Sequence, residues 1–144
     1  MVVLDASFIV KLTINEECSE EATKIYEEFS RSAEDLHVPC IAFSEVLNAV
    51  WKHYALLKDI GRDEVEKALR ILEALARVLV SHDNTLLLRE AFNIASMAKI
   101  SVYDALYLAL AKKLNQPLYT FDKALWSKTR EIKELGKLVV VPRC

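Results

Sequence analysis

Two glycines and three prolines are all that this chain of 144 residues contains. Turn-forming residues this scarce argue against a many-stranded sandwich or barrel, whose connections depend on them. Long helices joined by short links are what remains. Apolar stretches are short as well. The longest, Ala105 to Ala111, falls far below the roughly 20 residues that cross a bilayer, so no membrane span is expected. No basic leader precedes "VVLD" at 2–5, which predicts no signal peptide and a cytoplasmic protein. Histidine and cysteine occur three times each, with no CxxC pair. Zinc-binding spacing is therefore missing, and Cys18, Cys40 and Cys144 are expected as reduced, inert thiols. Charge of one sign is missing too: 19 basic residues face 21 acidic ones, for a net charge of −2. A protein that coats nucleic acid is usually strongly basic. Any phosphate contact must come from a local patch or a bound cation.

What is present is core material. Hydrophobic residues make up 53% of the chain and charged residues 28%, which excludes disorder and predicts one packed domain over 1–144. Short apolar runs alternate with helical spacing. Strands are expected at 2–5, 36–39, 78–81, 117–121 and 137–142. Helices are expected from Ser7, over 20–33, from Cys40 to Leu56, from about 62 to 77, and over 84–98, 102–114 and 123–135. Asp63 and Glu66 resemble a capping box at the fourth of these helices, and Gly136 is expected to end the last. This alternation predicts an α/β sandwich with a mainly parallel sheet between helix layers. Strand order does not follow from it.

Ligands of such sheets sit beyond the carboxyl ends of the strands. Asp5 ends the first strand, and Asp122 lies just past the fourth. Glu45 and Asp104 fall in early turns of helices that start at the same edge. Three have a plainer reading: Asp104 as a first-turn acid, Asp122 as a helix cap, Glu45 on a solvated face; Asp5 is harder to dismiss, because a charge ending a buried strand is seldom incidental. None of these explains why four acids share one rim. Two carboxylates ~4 Å apart repel by about 4 kcal/mol at an effective dielectric of ~20. Protonation or a cation must relieve that. With no His or Cys in the set, the donors are all oxygen, which favours Mg²⁺ or Mn²⁺ and so phosphodiester chemistry.

Supporting residues follow from spacing. Ser7 either caps the first helix or holds Asp5. Asn48 and Lys52 share a helix face with Glu45. Thr120 lies on the same side of its strand as Asp122. Lys11, Lys123, Lys128 and Arg130 are candidate phosphate contacts or ordinary solvated side chains. His37 belongs at the edge opposite the acids, while His82 could reach them. A phosphorylated receiver domain needs paired acids after the first strand, and a haloacid-dehalogenase-like phosphatase needs a second Asp at position 7. Asp5 stands alone and position 7 is Ser, so both are disfavoured.

"LDASFIVKL" at the start, "SEVLNAV" at 44–50, "SVYDALYLALA" at 101–111 and "LYTFDKAL" at 118–125 together resemble the successive motifs of the PIN domain, most of all the VapC-type toxin ribonucleases. The resemblance implies a PIN-like three-layer sandwich with a five-stranded sheet, and Mg²⁺- or Mn²⁺-dependent cleavage of RNA. It maps the family's acids onto Asp5, Glu45, Asp104 and Asp122, with Asp5, Asp104 and Asp122 at the metal, and its small hydroxyl residue onto Ser7. It also implies a homodimer and a small VapB-like antitoxin. A catalytically silent PIN domain and an RNA-maturation nuclease without an antitoxin remain the alternatives.

Overall fold

A computed structural model describes all residues, 1–144. Five strands form one sheet in the order β3-β2-β1-β4-β5, and all four pairings are parallel. They are β1 (Val2–Leu4), β2 (Leu36–Pro39), β3 (Val80–His82), β4 (Leu118–Tyr119) and β5 (Val139–Val140). Every residue of β1 is buried, as a central strand covered on both faces requires. One layer packs α1 (Ala6–Thr13), α2 (Ser19–Arg31), α3 (Ile41–Trp51) and α4 (Arg62–Val78) on one another; α5 (Leu88–Ala98) and α6 (Val102–Leu114) form the other. Residues Ala105 to Ala111 of α6 are all buried, and α6 lies against β1, β2 and β4. No single helix is long and apolar enough to cross a membrane.

Scarce glycine has a visible consequence. Helix ends that need a left-handed residue use Lys58, Lys99 and Asn115 instead. Asn tolerates that region well, whereas Lys carries the full Cβ penalty.

Several elements depart from their expected limits. The third strand begins at Val80, because the leucine stripe of α4 carries the helix through Val78. The α4 start is capped through Glu64, whose Oε2 accepts the Gly61 N–H at 3.1 Å; Glu66 pairs with Arg62 at 3.1 Å. Past Trp51, α3 continues as a π-helical turn over Lys52–Leu57. The expected helix over 123–135 is two short ones, α7 (Lys123–Thr129) and α8 (Lys133–Gly136). The chain doubles back so tightly that a Cβ on Gly136 would lie 2.6 Å from the Arg130 carbonyl oxygen. Gly136→Ala is therefore expected to cost about 1–3 kcal/mol in urea unfolding, since the obstructing atom is backbone.

The cysteines overturn their expected state. Cys18 and Cys144 form a disulfide across a sequence separation of 126, and only Cys40 is free. Local spacing carried no sign of it, because the fold alone brings the α1–α2 link to the segment after β5.

Candidate active site

Asp5 follows β1 directly and is buried, with 6% of its surface exposed. It also stands at the N-cap of α1, though its side chain caps nothing. Its Oδ2 accepts two short hydrogen bonds, from Ser7 Oγ at 2.6 Å and from Thr120 Oγ1 at 2.6 Å. The hydroxyls are in turn acceptors. Phe121 N–H donates to Ser7 Oγ at 3.0 Å, and Asp122 N–H donates to Thr120 Oγ1 at 3.0 Å. Two amides, two hydroxyls and one carboxylate thus lock the β4–α7 link onto the end of β1. Both hydroxyl donors sit on Oδ2, which leaves Oδ1 without a hydroxyl partner.

Asp122 has a local duty as well. Its Oδ1 accepts the Leu125 N–H at 3.0 Å and so caps α7. Asp104 lies in the first turn of α6, whose cap Ser101 accepts the Asp104 N–H at 3.1 Å. Glu45 projects from α3 and accepts the Tyr107 phenol proton on Oε1 at 2.6 Å.

The fold links the four acids electrostatically: Glu45 feels Asp5 and Asp104, Asp5 feels Asp104, and Asp104 feels Asp122. Burial raises the Asp5 carboxyl above its usual range; the two hydroxyls oppose this, and the Asp104 charge adds to it. Glu45 is raised chiefly by burial, with Tyr107 opposing and Asp5 and Asp104 adding. Asp104 is raised by burial first and by Asp122, against the Ser101 bond and Lys128. Such perturbed carboxyls gathered at a strand edge mark a functional site in physical terms. They do not form a ready-made cage, since no three acidic, His or Cys side chains converge as a ligand cluster.

Ser7 and Thr120 therefore join the acids. Asn48 is exposed on α3 and bonds to none of them, and Lys52 is also exposed. His82 turns away from the rim: its Nε2 lies 2.8 Å from His37 Nδ1. Tyr107 is the participant that sequence reasoning left in the core. Two signals pointed to it. It stands three residues after Asp104, on the same helix face, and a phenol in so apolar a helix needs a polar partner. Burial and the Glu45 charge push its own ionisation far above the usual range, so it stays a donor. Tyr107→Phe is expected to cost about 1–3 kcal/mol in urea unfolding, because a half-buried carboxylate loses its hydrogen bond.

Comparison with known proteins adds the family. The PIN domain model matches residues 2–131. Ribonuclease VapC3 of Pyrobaculum aerophilum is 37% identical over 128 residues, which cover 88% of this chain and 92% of that protein. A crystallised protein of the same organism superposes with a TM-score of 0.71 at 23% identity, over 97% of this chain and 87% of its own. A toxin–antitoxin complex from Klebsiella pneumoniae gives a TM-score of 0.66 at 16% identity, over 99% of this chain and 98% of that one. The fold, the order of its motifs and these likenesses agree: the chain belongs to the PIN domain family and is a VapC-type member of it.

Proposed function

We propose that this chain is a single-domain, divalent-metal-dependent endoribonuclease, the toxin half of a toxin–antitoxin pair. The observation that carries this is the gathering of Glu45, Asp104 and Asp122 about a buried Asp5 held by Ser7 and Thr120, with Asp5, Glu45 and Asp104 each raised by burial and by a neighbouring acid. Held without a cation, these charges work against one another. The donors are carboxylate and hydroxyl oxygens only, which suits Mg²⁺ or Mn²⁺. Their open arrangement fits an ion that keeps several waters and uses few protein ligands.

In this reading Asp5, Asp104 and Asp122 hold the ion. When bound, it supplies a Lewis acid for the phosphate oxygens and lowers the pKa of water. Ser7 and Thr120 fix Asp5 through Oδ2, so Oδ1, the oxygen without a side-chain partner, is the one that would take the ion. Tyr107 occupies Oε1 of Glu45, so Oε2 is left to orient the attacking water. Attack at phosphorus releases a 5′-phosphate and a 3′-hydroxyl end. No side chain serves as a covalent nucleophile. Asn48 remains a candidate for contact with RNA from the exposed face of α3.

VapC3 is named as a ribonuclease, and the Klebsiella protein was solved with an antitoxin. These likenesses support RNA as substrate and a small VapB-like protein as inhibitor. We extend the reading to a cytoplasmic homodimer. Purified protein is expected to cut single-stranded RNA with Mg²⁺ or Mn²⁺, to lose activity in EDTA, and to regain it with excess Mg²⁺. Undiminished cleavage in EDTA would overturn the metal-dependent mechanism.

A further inference from the structure

A cleft of about 530 Å³ is lined by residues that neighbour the site in sequence, though by none of the four acids themselves. Its walls come from three distant stretches of chain. Lys11 lies four residues past Ser7 on α1, hence one turn along the same face. Phe121 and Lys123 flank Asp122. Arg143 reaches the cleft from the segment after β5, beside the Cys18–Cys144 bond.

The chemistry of this lining differs from that of the rim. Three cations meet one aromatic ring and a single acidic side chain, Glu17. The Lys11 ammonium stands 5.4 Å from the centre of the Phe121 ring, tethered by Glu16 at 3.0 Å and by the Glu17 carbonyl at 2.8 Å. Lys123 and Arg143 end on no acidic partner and make no side-chain hydrogen bond. The larger cleft, about 820 Å³ between α2 and α4, is different: its lysines face several acids, and Lys24 is paired with Glu20 at 2.8 Å. Beside the site Lys128 also acts on Asp104, but the smaller cleft is where two cations without an acidic partner, Lys123 and Arg143, come together. An RNA strand approaching four carboxylates on a chain of net charge −2 needs such a patch to stay bound. The Phe121 ring packs on Phe8 with 5.5 Å between centroids and carries the Lys11 ammonium, so it forms a fixed wall of the cleft.

We propose that this cleft is a nucleotide subsite for RNA next to the scissile phosphate. Lys123 and Arg143 contact backbone phosphates, and the Cys18–Cys144 bond pins Arg143 in reach. The inference rests on the ribonuclease reading and locates where its substrate continues past the acids.

The test is fluorescence anisotropy with a labelled single-stranded oligouridine in EDTA, where cleavage does not intervene. Lys123→Ala and Arg143→Ala are each expected to weaken binding about 3- to 10-fold, and to reduce the slope of log affinity against log salt by about 0.7. Arg143→Glu weakens it further. Cys144→Ser removes no charge, yet is expected to weaken binding in the same direction. Unchanged affinity and slope in both alanine variants overturn the subsite. Cleavage by the unmodified protein with Mg²⁺, run on the same RNA, reports separately on the ribonuclease reading.

Discussion

Asp5→Asn is expected to abolish RNA cleavage, by about a thousand-fold, and to make the metal-free protein more stable. The two effects have one origin. Asparagine has the shape of aspartate and can still accept the protons of Ser7 and Thr120, but it carries no charge. In the wild type that charge is buried and raised in pKa by burial and by Asp104. Below the ordinary carboxylate range, folded and unfolded chains both hold the proton. Between that range and the raised folded value, only the folded chain binds it. The stability this proton contributes is therefore present in acid and lost as pH rises through the folded value. Each pKa unit is worth about 1.4 kcal/mol, and each kcal/mol about 2–4 °C in Tm at this size. The variant should melt higher than wild type at pH 8 in EDTA, with the gap closing towards pH 4. Mg²⁺ should raise the wild-type Tm and leave the variant unmoved. A variant that melts lower at pH 8 would mean that the Asp5 charge is already compensated within the protein.

Reduction with dithiothreitol is expected to lower stability by about 2–4 kcal/mol. The Cys18–Cys144 bond closes a loop that spans most of the chain, with 126 residues of separation. Opening it returns that loop's freedom to the unfolded state. The Tm should fall by roughly 5–15 °C, and Cys144→Ser should melt where the reduced wild type does. Cys40 is exposed and free, so Cys40→Ser should change nothing.

These two cases also mark where sequence reasoning succeeds and where it stops. Asp5 was legible because a charge that ends an all-apolar run has few other reasons to be there. The i+2 relation of Thr120 to Asp122 and the closeness of Ser7 to Asp5 were legible for the same local reasons. Strand β2, ended by Pro39, and helix α6, bounded by Ser101 and Asn115, carried their limits in the sequence. Strand β3 did not, because a helical leucine stripe and a buried strand compete for the residues around Val78. The split between α7 and α8 depends on a backbone approach at Gly136 that no periodicity records. The disulfide, the His37–His82 contact and the Tyr107–Glu45 bond all join residues remote in sequence, and only the tertiary fold brings them together.

The lock on Asp5 has a consequence for synthesis. Thr120 is 115 residues downstream of the carboxylate it grips, and β4 must slot in beside β1 before the two meet. A nascent chain that still lacks β4 carries Asp5, Glu45 and Asp104 but cannot assemble them with Asp122. In the proposed ribonuclease reading, an unfinished chain therefore has no complete site until β4 joins the sheet.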